Sequence, residues 1–273
     1  MISVILPSRG RPASLLRAVS SLAQDDCEII VGLDSDDPTI EEAERLIGSV
    51  RQVRIVKSTR KPTVGALFNY LGEWASGDWL IPFPDDYVVD QSDWATRTQK
   101  TLDRLPNGMG LAYLWDPVYP HFATFPLISK AAIEMQGFFM PPFFPFLFGD
   151  TWWNEVGVMS GMILPASASV TILKETGNIH NYRNLKLWAT LFEKTRPLRQ
   201  QIATQMIRNA MGEEPQAAFL INSMSERIEA LEEMQAPFMT DEFCTKWNAA
   251  GDGFPHPHYD ALEAKTLAFM EQM

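Results

Sequence analysis

Apolar positions in the first half of the chain alternate between short unbroken runs and helical stripes. Ile2 to Leu6 is nearly uninterrupted and suits a strand buried on both faces. Leu15, Leu16, Val19 and Leu22 then fall on one helical face. Pro12 stands in the first turn, where a missing N–H costs little. Glu28 to Leu33 predicts a second strand, Thr39 to Ile47 a helix, and Val53 to Val56 a third strand. Thr63 to Ala75 predicts another helix closed by Gly77, and Trp79 to Phe83 a fourth strand. Such alternation predicts a mostly parallel central sheet flanked by helices, an α/β architecture of Rossmann-like type.

After Leu111 the rhythm weakens. Leu111 to Trp115 and Phe125 to Ser129 read as strands, and Lys130 to Gln136 as a short helix ended by Gly137. Phe138 to Phe148 is an uncharged aromatic–proline loop, and Gly149-Asp150-Thr151-Trp152-Trp153 opens a helix. Beyond Leu185 only helical spacing remains. Met206, Ile207 and Met211 mark one helix, residues 212–215 break it, and Leu220, Met224, Ile228 and Leu231 mark a longer one. The expected organisation is an α/β domain over residues 1–190 and a helical C-terminal extension over 191–273.

Composition narrows the function. The 273 residues carry a formal charge of −11, which argues against gripping a phosphate backbone, so no nucleic-acid partner is expected. Two cysteines, Cys27 and Cys244, cannot frame a disulfide scaffold, and a reducing compartment fits. There is no apolar run of about twenty residues and no basic-then-apolar leader, so a cytoplasmic protein without a transmembrane segment is expected. The stripe on the long helix has Glu226, Glu229 and Glu232 around it. It needs cover from the chain itself or from a homodimer.

The charged residues are not spread evenly. Ser8, Arg9 and Arg11, then Asp34, Asp36 and Asp37, then Asp85 and Asp86 all fall just beyond the C-terminal ends of predicted strands. In an open α/β sheet the ligand crevice lies along that rim. Two arginines at a helix N-terminus also oppose its dipole and call for an anion. Plainer roles compete: Asp34 to Asp37 as a loop and helix cap, Asp85-Asp86 as a turn, Asp150 as an N-cap.

These segments together resemble the family 2 glycosyltransferases with the GT-A fold. The opening strand and turn Ile2-Ser3-Val4-Ile5-Leu6-Pro7-Ser8-Arg9-Gly10-Arg11-Pro12 is similar to the family's start, and the strand Glu28 to Asp34 to its second strand. Gly65 and Asn69, then Ala75-Ser76-Gly77-Asp78-Trp79, then Asp85-Asp86 and Gly149-Asp150 follow in the family's order. The resemblance implies that Pro7, Ser8 and Arg9 line a nucleotide pocket, with Arg11, Asp36, Asn69 and Asp85 around the donor. It implies that Asp34 binds the base or ribose. Asp86, with Asp85 beside it, would hold Mn2+ or Mg2+ on the donor's phosphates, with His180 as a further ligand. Asp150 would be the general base. Two positions depart from the family: Pro84 replaces the first residue of the metal motif, and Gly149 replaces the Glu of the Glu-Asp pair.

The implied activity is metal-dependent, inverting transfer of a sugar from a nucleotide-diphosphate donor to a hydroxyl acceptor. A UDP-sugar is the expected donor and a glycan one candidate acceptor. Two rivals stay open. One is a nucleotidyltransferase of similar fold, for which residues 8–11 make a poor phosphate loop. The other is a non-catalytic nucleotide- or carbohydrate-binding relative, which Pro84 and Gly149 favour.

Overall fold

The structure is a computed structural model, describing residues 1–59, 61, 63–145, 147–173, 184–236, 240–250 and 257–271. Strands β1 (Ile2–Ser8), β2 (Cys27–Asp34), β3 (Val53–Ser58) and β4 (Trp79–Pro82) form a parallel half-sheet. They alternate with helices α1 (Pro12–Leu22), α2 (Ile40–Ile47) and α3 (Val64–Gly72). The other half contains β5 (Tyr87–Val89), β6 (Leu111–Trp115), β7 (Phe125–Ser129) and β8 (Ile163–Ile172). Spatial order is β3-β2-β1-β4-β7-β6-β8-β5, and β7 and β5 run against the others.

Helices cover both faces. Val4, Leu6, Ile29 and Val31 point into one apolar layer with Leu15, Val19 and Trp94, the last from α4 (Trp94–Leu102). Ile5, Ile30, Leu80, Leu111 and Ile128 point the other way, onto α3, α5 (Lys130–Gln136) and α6 (Gly149–Ser160). This second layer continues into α7 (Leu185–Lys194), α8 (Arg196–Met211), α9 (Pro215–Asn222) and α10 (Met224–Gln235). The helical extension therefore shares an apolar core with the sheet, and the expected boundary at 190 falls inside α7. Helices α11 (Asp241–Ala250) and α12 (Pro257–Met270) follow. No helix among the described residues is long and apolar enough to cross a membrane.

Three expectations change. The single helix read from Leu220 to Leu231 is two, α9 and α10, which meet at Ser223. α3 stops at Gly72 with Glu73 as its C-cap, so Gly77 does not close it. β8 escapes sequence reading because its inward positions are Ala166, Ala168 and Val170 behind Pro165, which gives only faint alternation.

Packing also decides where α6 begins. Gly161 turns α6 directly into β8, so the helix runs antiparallel to β8 and to its parallel neighbour β6. Twelve residues at about 1.5 Å each carry it back across the sheet. Its N-terminus, with Asp150, thus reaches the rim where β1, β2 and β4 end.

Candidate active site

The rim is built around Asp85, whose side chain is buried. Its Oδ2 accepts the Ser8 hydroxyl at 2.5 Å, and its Oδ1 meets the Arg11 guanidinium. Its backbone carbonyl accepts from the Ser14 hydroxyl at 2.7 Å. One residue therefore joins the end of β1, the start of α1 and the turn after β4. Burial pushes the Asp85 carboxyl up to about 6, against the pull of Ser8 and Arg11; the neighbouring charge of Asp86 pushes the same way as burial.

Asp86 is different. Its side chain is 27% exposed, and Arg11 Nη1 reaches its Oδ2 only at a long 3.4 Å. Of the two neighbouring carboxylates, this is the one open to a cation. Magnesium and manganese sites on phosphate ligands need only one or two protein carboxylates, because the phosphate oxygens fill further positions. Asp86 fits such a role. Among the described residues no three His, Cys, Asp or Glu side chains gather as a self-sufficient metal site. His180, expected as a further ligand, lies outside the described residues.

Arg9 bridges the second strand's end, meeting Asp36 Oδ1 at 2.5 Å and Asp34 Oδ2 at 3.1 Å. Asp37 ties the two turns: its Oδ2 accepts from Gly10 N–H at 2.8 Å and its Oδ1 from Thr39 N–H at 2.9 Å. Gly10 sits at φ +72°, a left-handed conformation that suits glycine, and this aims its N–H at Asp37. Pro7 lies within β1 opposite Gly32 of β2. The structure thus brings Pro7, Ser8, Arg9, Arg11, Asp34, Asp36, Asp85 and Asp86 to one rim.

Asn69 does not join them. Its Nδ2 donates to the Met140 carbonyl at 2.8 Å, and its Oδ1 accepts from Phe139 N–H and Met140 N–H, each at 2.8 Å. Expected near the donor, it clamps the backbone of the Phe-rich loop. Gly65, one turn earlier, lets the loop approach: an added Cβ would lie 2.3 Å from the Pro141 carbonyl oxygen. Phe139 and Phe144 of that loop are buried, and Phe144 and Phe148 pack on Phe192 of α7.

Asp150 lies in the first turn of α6, and Phe148 is the N-cap. Asp150 Oδ1 accepts from Thr151 N–H at 2.7 Å, so the carboxylate serves one of the helix's free donors without being the cap itself. It keeps partial contact with solvent yet sits deep among protein atoms. This desolvation raises its carboxyl above the usual 3.8, with the Thr151 bonds opposing. A carboxylate made more basic in this way is suited to take a proton from a hydroxyl. Sequence reading missed the groups behind it: Asn154 one turn on, and the buried Glu155 that pairs with Arg199 of α8.

A parallel half-sheet, joined through β4 to a mixed half, with acidic residues along the shared rim, is the GT-A arrangement. Residues 3–119 of the 273 match the model of glycosyl transferase family 2, and the chain has the GT-A fold. Among solved structures it is similar to S. aureus TarS 1-349 in complex with UDP-GlcNAc, at 13% identity and a TM-score of 0.58. That match covers 90% of this chain and 78% of the other. It is also similar to the mannosyltransferase PcManGT from Pyrobaculum calidifontis in complex with GDP-Man and Mn2+. There the identity is 13%, the TM-score 0.56, and the coverage 97% of this chain and 86% of the other. No curated protein sequence matches this chain.

Proposed function

We propose that the protein moves a sugar from a nucleotide-diphosphate donor to a hydroxyl acceptor, with inversion at the anomeric carbon and dependence on a divalent cation. The observation that carries this reading is the meeting of two chemistries on one rim. Asp86, with an open carboxylate, stands at the end of β4, and Asp150, a carboxylate made more basic by its surroundings, stands at the start of α6. The two similar structures hold UDP-GlcNAc and GDP-Man with Mn2+ in their own sites, which supports a nucleotide-sugar donor here.

Each residue has a task in this reading. Ser8, Arg9 and Arg11 line the nucleotide and diphosphate side, and Asp34 and Asp36 face the ribose or base. Asp86 would hold Mn2+ or Mg2+, which would supply charge neutralisation for the leaving diphosphate. Arg11 adds a fixed positive charge beside it. Asp150 accepts the acceptor hydroxyl's proton as that oxygen attacks from the face opposite the leaving group. A UDP-sugar is the donor we favour, and the cytoplasm the compartment.

The test is donor consumption with UDP- and GDP-sugars, with and without Mn2+, and NMR assignment of the product anomer. Metal-stimulated turnover with inverted configuration is expected. Tight nucleotide-sugar binding with no turnover under any condition would favour the non-catalytic binding relative instead.

A further inference from the structure

We infer that the cleft between α12 and the corner where α7 meets α8 binds a medium-chain fatty acid, one alkyl chain ending in a carboxylate. The cleft shares no residue with the rim, and the inference stands apart from the transferase reading. Its volume is about 340 Å³, within the range of about 300–1,000 Å³ usual for small-ligand sites. Leu191 of α7, Leu198 of α8, Phe143 of the Phe-rich loop, and Leu262 and Phe269 of α12 line it. Phe143 is held there by edge-on packing against Phe138 at 5.9 Å and Trp152 at 5.4 Å, so this wall exists before a ligand arrives. Thr195 lines the corner, but its hydroxyl is already engaged. It donates to the Leu191 and Phe192 carbonyls at 2.8 and 2.9 Å and accepts from Arg199 Nη1 at 3.0 Å, which leaves its methyl for the cleft. Leu198 and Phe269 stay 42% and 52% exposed in this apolar setting.

One polar pair interrupts the carbon wall. On α12, Leu262, Lys265, Thr266 and Phe269 fall at helical spacing on the face toward the cleft. A packing face would carry apolar residues at all four positions. Among the described residues neither the Lys265 ammonium nor the Thr266 hydroxyl has a partner, although Thr266 is buried. The lysine stem can lie along the apolar wall while its charge stays at the mouth.

The wall calls for hydrocarbon, and the lone ammonium beside a hydroxyl calls for one negative charge on oxygen acceptors. Among the described residues no arginine fork lines the cleft, which disfavours a phosphate head. A saccharide would leave most of its hydroxyls without partners here. An anionic membrane surface is disfavoured by the chain's charge of −11 and by a helix that sets Asp260 and Glu263 against a single lysine. A fatty acid satisfies both the wall and the lysine.

Isothermal titration calorimetry of the full chain with decanoate, 1-decanol and decyltrimethylammonium, each at monomeric concentrations, reads the site directly. Decanoate is expected to bind at one saturable site with a negative heat-capacity change, at least tenfold tighter than the ammonium compound. Leu198→Trp, which fills the cleft from an exposed position, should weaken decanoate at least tenfold, and Phe269→Ala, which removes part of the wall, at least fivefold. Lys265→Gln should weaken decanoate at least fivefold and 1-decanol less than twofold. No saturable binding, binding indifferent to both Leu198→Trp and Phe269→Ala, or equal binding of the three head groups overturns the inference. A wild-type dimer in sedimentation that Phe269→Ala dissociates assigns the cleft to a second copy of the chain and overturns it as well.

Discussion

Glu155 of α6 and Arg199 of α8 form an ion pair in which neither side chain touches solvent. The Arg199 guanidinium also lies 3.7 Å from the centre of the Phe192 ring and 5.1 Å from that of Trp152. Arg196 extends the network, reaching Glu193 at 2.8 Å and Glu232 at 2.6 Å. The helix that carries Asp150 is thereby tied by charge as well as by packing to three C-terminal helices.

Removing one member strands the other. Arg199→Met leaves Glu155 as an uncompensated buried charge and is expected to cost about 3–5 kcal/mol. Replacing both, Glu155→Leu with Arg199→Met, should recover most of that loss. Urea unfolding of the two variants measures it; equal losses in both would show that the pair contributes packing alone.

Asp150→Asn keeps the side chain's size and an acceptor for Thr151 N–H but removes its basicity. Donor binding should persist while transfer falls by about 10² to 10⁴. Desolvation raises the folded carboxyl above 3.8. The wild-type rate should therefore fall as pH drops through that raised value, and the Asn variant should lose this acid limb. A pH–rate profile with the same limb in both proteins would assign the titration elsewhere.

Asp85 and Asp86 should fail differently. Asp86→Ala is expected to remove the Mn2+-dependent part of UDP or GDP binding and leave the melting temperature of the free protein nearly unchanged. Asp85→Ala breaks the joint between Ser8 and Arg11 and should lower that melting temperature with or without nucleotide. Thermal shifts with each nucleotide, with and without metal, separate the two; identical behaviour would contradict the geometry.

Glu28 predicts a pH dependence of stability. Its Oε1 accepts from the Ser3 hydroxyl at 2.5 Å, from Ser76 N–H at 2.5 Å and Oγ–H at 2.9 Å, and from Gly77 N–H at 3.1 Å. Burial pushes its pKa up, but these bonds prevail and hold it below 4.5. With the folded value depressed, the contribution is full above 4.5 and is lost as pH falls through the lower folded value. Glu28→Gln should flatten the loss of stability as pH falls below 4.5. Parallel acid melts of the two proteins check it.

Much of the parallel half-sheet was legible in sequence because its signals are local. The apolar runs of β1, β2 and β4 and the stripe of α1 each announce themselves within ten residues, and the charged residues follow the strands directly. The mixed half depends on longer-range arrangements. β8 packs through two alanines, and α4 carries Arg97, Gln99 and Lys100 on its solvent side. Asn69 matched the family's order of residues, yet its neighbours are 70 positions away, in a loop whose path no local pattern dictates. Glu155 lies among apolar residues of α6, and only the position of Arg199, 44 residues on, explains it.

The clamp at Asn69 bears on the state of the aromatic loop before any ligand binds. Three hydrogen bonds from one amide hold residues 139 and 140, Thr63 Oγ1 donates to the Pro142 carbonyl at 3.1 Å, and Val64 N–H to that of Pro145 at 3.1 Å. The aromatic segment is thus fastened to α3 at several points before any ligand arrives. Ordering this segment would cost little on ligand encounter, because folding has already fixed it. A ligand that touches this segment would therefore meet a ready-made surface, and changing what that surface admits means recontouring it.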